Sequence, residues 1–129
     1  MPIRQGDIYW VALNAPDSTG ADIPHPHVVI QENILNRSRI STVVACALTT
    51  NMKQAKAPGN VLLEVGEGNL PKQSVVVVSK VSTVSKTQLG EYIGSLTPQR
   101  VDQILAGMRF LQAMTEHFDA GEDKPGNAS

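Results

Sequence analysis

Apolar and polar residues alternate along most of this chain with the period of a β-strand. Only near the C-terminus does the period lengthen to that of a helix. Gly6 to Leu13 reads as a first strand, with Ile8, Trp10 and Ala12 on one face. His27 to Gln31 is a second, rich in valine and isoleucine. Ser41 to Leu48 is an almost unbroken apolar run and reads as a strand buried on both faces. Val61–Val65, Ser74–Val78, Val81–Val84 and a short Ile93–Leu96 complete the set. Between them lie a long Pro/Gly/Asp/Ser loop (Asn14–Pro24), a polar turn (Asn33–Arg39), a basic loop (Asn51–Gly59) and a turn (Gly66–Pro71). Ser85-Lys86-Thr87-Gln88 matches a capping box and starts a short helix at most, because Gly90 follows. Thr97-Pro98, an N-cap followed by proline at the first helical position, opens the long helix. Its stripe is Val101, Ile104, Leu105, Met108, Leu111 and Met114.

These elements predict a mainly β protein with a C-terminal α-helix, a small β-barrel carrying one packed helix. At 129 residues the chain makes one domain, placed at 1–118, followed by a disordered acidic tail at 119–129. The composition, 41% hydrophobic with 4% aromatic, agrees with a globular β domain. The single cysteine, Cys46, lies in an apolar run and reads as a buried, reduced thiol. No stretch is long enough to span a bilayer and no leader is evident, so a cytoplasmic protein with no membrane partner is expected. The net charge of −1 hides an asymmetry. Glu116, Asp119, Glu122 and Asp123 face Lys124 alone beyond residue 111, leaving ten basic and eight acidic residues before it. That balance permits an anionic ligand.

The densest chemistry is His25-Pro26-His27, two of the three histidines within three positions. In an extended chain both imidazoles point the same way, and Pro26 pushes His25 toward that conformation. Histidine is suited to moving protons near neutral pH. The alternatives are ordinary polar residues at a loop edge, or two ligands of a metal for which no third ligand lies near. Thr49-Thr50 closes the following strand and reads, by itself, as a pair of strand-end capping residues. Trp10 reads as a core or interface residue before a base-stacking one, and Asp7 as a turn residue.

The chain resembles the MazF/PemK family of toxins. Arg4-Gln5-Gly6-Asp7-Ile8-Tyr9-Trp10 is similar to that family's opening strand, Pro26–Gln31 to its second, Thr42–Thr50 to its third, and Leu70–Val84 to a later buried strand. The resemblance implies a small SH3-like barrel, usually a homodimer, that cleaves single-stranded RNA and is held silent by a cognate antitoxin protein, with no cofactor. It implies a catalytic pair: an arginine before the proline of strand two and the threonine closing strand three. The threonine falls on Thr49, and His25 stands at the arginine position. The expected catalytic set is therefore His25, His27 and Thr49, with Thr50, Arg4, Arg39, Lys53 and Lys56 as RNA contacts and no metal. Two other readings compete: a non-catalytic module of the same fold that binds RNA or antitoxin, and a toxin directed at gyrase.

Overall fold

The computed structural model describes residues 2–13 and 23–122, with side chains in the last helix described through Met114. Among these residues the elements are β1 (Asp7–Val11), β2 (His25–Val29), a one-turn helix α1 (Asn33–Asn36), β3 (Thr42–Thr49), β4 (Val61–Leu63), β5 (Ser74–Ser85), β6 (Leu89–Ser95) and α2 (Pro98–Glu122). Three-residue-per-turn helical turns occupy Met52–Lys56, Glu67–Asn69 and Lys86–Gln88. The strands form one antiparallel sheet in the order β4-β5-β3-β2-β1-β6.

The sheet curls until its two edges nearly meet. The turn after β4 bridges to β6 through Asn69 Nδ2, which donates to the Ile93 carbonyl at 3.0 Å. Gly94 packs so closely on the Gly68 carbonyl that a Cβ there would overlap it. Inside the curl, Ile8, Val28, Cys46, Leu48 and Val76 form the larger core, closed by Val101 and Ile104 of α2. Tyr9, Val11, Val29, Val43 and Val84 make a smaller cluster on the other face. Successive residues of β1 and β2 thus enter different clusters, which is why these strands are apolar on both faces. The Cys46 thiol is buried, donates to the Val77 carbonyl at 2.9 Å, and is pushed up to about 12 by burial. It is chemically quiet.

The local signals hold. Ser85 and Gln88 form the capping box, and the Arg100 N–H donates to Thr97 Oγ1 at 3.2 Å at the start of α2. Several boundaries differ. β2 begins at His25, because the first two residues pair with Trp10 and Val11 of β1. The expected strands Ser74–Val78 and Val81–Val84 are one strand, bent where Cys46 pairs with Val81 and Leu48 with Val76. Exposed Ser79 and Lys80 sit in that irregularity, so the polar pair marks a bulge rather than a break. β6 is longer than its apolar residues suggest, because pairing with β1 supplies its order. Asn33–Arg39 contains α1, and α2 continues to Glu122, so residues 119–122 of the expected tail are helical. Residues 123–129 and most of the Asn14–Pro24 loop lie outside the described residues. Trp10 is 39% exposed and not a core residue. Met114, expected in the stripe, is also exposed.

Candidate functional site

The site is built on the β2–β3 ladder. His27 opposes Ala47, Val28 opposes Cys46 and Val29 opposes Ala45. Continuing that register by two residues aligns His25 with Thr49, on the face that carries His27. Pro26 has no N–H to offer β3, so the β2–β3 ladder ends here while β2 stays paired with β1 through His25.

The two imidazoles differ sharply. His25 is exposed. His27 is 3% exposed, and its Nδ1 lies 2.9 Å from the His25 carbonyl. A carbonyl only accepts, so Nδ1 carries the hydrogen and Nε2 is the basic nitrogen. Among the described residues every fully buried side-chain nitrogen or oxygen has a hydrogen-bond partner, so Nε2 keeps contact with solvent. Burial, and then the nearby His25 charge, outweigh the carbonyl bond and lower the His27 pKa from 6.5. The ring is therefore neutral at pH 7. In the unfolded chain it would take up a proton near 6.5, before the folded one does. Stability is then complete above that pH and falls as the pH drops toward the folded-state value, by up to about 1.4 kcal/mol per unit. Urea unfolding at pH 7.5 and pH 5 should show this loss, and His27→Gln should flatten it. Parallel losses in both proteins would assign the acid limb to other groups.

Thr49 Oγ1 accepts from the Asn51 N–H at 3.1 Å and keeps its own hydrogen to donate. Asn51 Oδ1 in turn accepts from the Lys53 N–H at 3.1 Å, capping the turn that carries Lys53 and Lys56. Thr50, Lys53 and Lys56 are exposed beside this strand end. Arg4 and Arg39 are not beside it. Arg4 precedes β1, where Gly6 N–H donates to the Val29 carbonyl at 2.8 Å, and Arg39 precedes β3. Both belong to the other end of β2, four residues or about 13 Å from His25. The expected cationic set thus divides between two ends of the sheet.

A polar cluster that the sequence did not signal joins β1 to β6. Asp7 Oδ2 accepts from the Arg4 N–H at 3.0 Å, which makes Asp7 the turn residue expected. Its Oδ1 accepts from Ser95 Oγ at 2.7 Å, and Ser95 is bonded to the Tyr92 hydroxyl at 2.6 Å. Tyr9 meets Tyr92 edge-on, with centroids 5.6 Å apart, and its hydroxyl is 3.4 Å from Asp7. Burial, reinforced by Asp7, pushes Tyr9 up to about 12. Asp7 and Ser95 lie 88 residues apart in sequence, so only the β1–β6 pairing could reveal the cluster. Among the described residues no group of three or more His, Cys, Asp or Glu could hold a metal ion.

Residues 4–111 match the model of the PemK-like, MazF-like toxins of type II toxin–antitoxin systems. The chain belongs to this family. It is 35% identical over 109 residues to the endoribonuclease MazF2 of Mycobacterium bovis, covering 84% of this chain and 96% of that one. It is 25% identical over 116 residues to the endoribonuclease EndoA of Bacillus subtilis, covering 90% and 99%. Its fold is that of the MazE–MazF complex of Deinococcus radiodurans, with a TM-score of 0.72 at 16% identity over 88% of this chain and 98% of that one. A mycobacterial endoribonuclease solved with its cognate antitoxin superposes with a TM-score of 0.69 at 24% identity, over 86% and 95%. The matched span of this MazF/PemK-like chain contains both ends of β2 and the whole Asp7–Tyr92 cluster. No helix among the described residues is long and apolar enough to cross a membrane.

Proposed function

We propose that this chain is the toxin of a type II pair and an endoribonuclease that cuts single-stranded RNA without a metal ion. Membership of the toxin family and the endoribonuclease relatives support the activity. The observation that supports this site is the His27–Ala47 pairing, because the same register extended by two residues aligns His25 with Thr49.

The chemistry follows from the burial of one imidazole and the exposure of the other. His27, neutral and with its Nδ1 hydrogen engaged, offers Nε2 as the base for the 2′-hydroxyl, directly or through one water. The 2′-oxygen then bonds to phosphorus, the bond to the 5′-oxygen breaks, and the departing oxygen needs a proton. Exposed His25 is placed to supply it, and stands where the resemblance expects arginine. The Thr49 hydroxyl donates to a non-bridging phosphate oxygen as charge builds. Lys53, Lys56 and Thr50 hold flanking phosphates. The protein acts as a cytoplasmic homodimer. Its antitoxin lays an acidic or amphipathic segment along the basic surface and displaces RNA.

The test is incubation of purified protein with RNA in EDTA, followed by sequencing of the new 5′ ends. Defined cuts that survive chelation are expected. Salt-dependent RNA binding without cuts would make the chain a non-catalytic binding member of the fold, and overturn the nuclease reading.

A further inference from the structure

At the end of β2 opposite His25, two adjacent clefts share Pro2 and Arg4. One, of about 370 Å³, is also lined by Ile3, Asn33 and Arg37. The other, of about 260 Å³, is lined by Asp7, Tyr9, Tyr92 and Ser95. The polar side chains of the first offer donors. The Arg4 and Arg37 guanidiniums are exposed and make no hydrogen bond or ion pair, the ion pair among the described residues being Arg100–Glu67. Asn33 Oδ1 is occupied by the Gln5 and Asn36 N–H groups, which leaves its NH₂ free. Three unspent donors, two of them cationic, beside apolar Pro2 and Ile3 select an anion.

The second cleft adds a flat surface. The Tyr92 ring is 40% exposed, yet held by its bond to Ser95 and its edge contact with Tyr9. A ring so fixed loses little freedom when a base stacks on it. The carboxylate of Asp7 already accepts from Arg4 N–H and Ser95 Oγ, so it is satisfied inside the cluster. The cross-strand row ties this place to the proposed catalytic end: Tyr9 opposes His27 on one side and Tyr92 on the other. At about 4.8 Å per strand, Tyr92 stands about 10 Å from His27, on the same face of the sheet.

We propose that these clefts form a nucleotide subsite remote from the cleaved bond. Arg4, Arg37 and Asn33 hold a phosphodiester of single-stranded RNA, and an adjacent base stacks on Tyr92. The inference rests on RNA being the ligand of the proposed function, but not on catalysis. An acidic peptide would also satisfy the arginines. It has no use for the immobilised ring, so RNA is the better fit.

The experiment measures binding of a fluorescent, fully 2′-O-methylated oligoribonucleotide, which lacks the nucleophile and cannot be cut. Parent, Arg4→Ala/Arg37→Ala, Tyr92→Ala and Tyr92→Phe are compared across a salt series. The double variant should bind at least tenfold more weakly, with a salt slope smaller by about 0.7 for each phosphate it no longer neutralises. Tyr92→Ala should weaken binding by about 5- to 100-fold, as removal of one base stack does, and Tyr92→Phe, which keeps the ring and its edge contact with Tyr9 but gives up the Ser95 bond, should lose far less than Tyr92→Ala. Neither arginine side chain bonds within the fold, so parental melting is expected of the double variant. Parental affinity and slope in the double variant and in Tyr92→Ala overturn the subsite, whatever the nuclease assay gives. Loss of binding to an acidic peptide alone, with RNA binding intact, also overturns it and assigns the clefts to a protein partner. A parent that binds this RNA as described but cuts none leaves the subsite standing and defeats only the catalytic reading.

Discussion

His25→Ala should lower the rate of RNA cleavage by about 10²- to 10⁴-fold, the range that one positioned acid or base contributes. The side chain is exposed, and His25 serves the fold through its backbone, which pairs with Val11 and accepts from His27. Alanine keeps that backbone, so unfolding should be unchanged and the loss should fall on turnover. His25→Arg separates the two tasks an imidazole can perform. Arginine holds phosphate at least as well but does not exchange protons near neutrality. If His25 is the acid, His25→Arg binds RNA normally, cleaves slowly and loses the corresponding limb of its pH–rate profile. If His25 serves only as a cation, His25→Arg matches or exceeds the parent. Parental rates from both variants, measured on a short RNA in EDTA, would remove His25 from the mechanism.

Gly107→Ala should unfold the protein far more easily, by about 3 kcal/mol or a fall in Tm on the order of 10 °C. Gly107 faces the core on α2, where a Cβ would land on the Gly59 carbonyl oxygen, a backbone atom that cannot swing aside. Gly59 itself has φ +87°, a conformation that other residues adopt at a cost, so neither partner can yield. Gly66→Ala is the matched comparison. Gly66 also has positive φ, +92°, but its Cβ would meet nothing within 4 Å. It should cost about 1 kcal/mol, from backbone strain alone. Similar costs for the two substitutions in urea melts would mean that α2 shifts away from the loop with little penalty. A strong effect at Gly107 would also explain how α2 is set against the barrel, where Ile104 and Val101 each withdraw an aliphatic side chain from water.

Much of the fold is legible in the chain because its signals are local. The Ser85–Gln88 box, the Thr97-Pro98 helix start and the two-faced apolar β3 all depend on neighbours within a few residues. The proposed His25/Thr49 end of the site is legible for the same reason. Strand alternation puts His25 and His27 on one face, and family resemblance points to Thr49. The features that differ from expectation depend on segments distant in sequence. Ser79-Lys80 looks like a break until Cys46 and Leu48 are seen pairing across it. Gly90 and Glu91 have little strand character of their own and become part of β6 through β1. Trp10 shares a face with buried Ile8 but stands 39% exposed. It lies towards an end of the barrel where Pro24, Gln88 and Gly90 line a cleft of about 430 Å³.

Periodicity and caps, written in contiguous residues, were enough to specify a β-rich chain with one terminal helix and a histidine pair on a strand. Register and curl could not be read that way, because each depends on which distant segments share hydrogen bonds. They bury His27 while leaving His25 open, send Arg4 and Arg39 to the far end of β2, and gather Asp7, Tyr9, Tyr92 and Ser95 into one network. The difference between the two imidazoles, on which the proposed acid–base division rests, is thus a product of burial, and burial belongs to the folded chain as a whole.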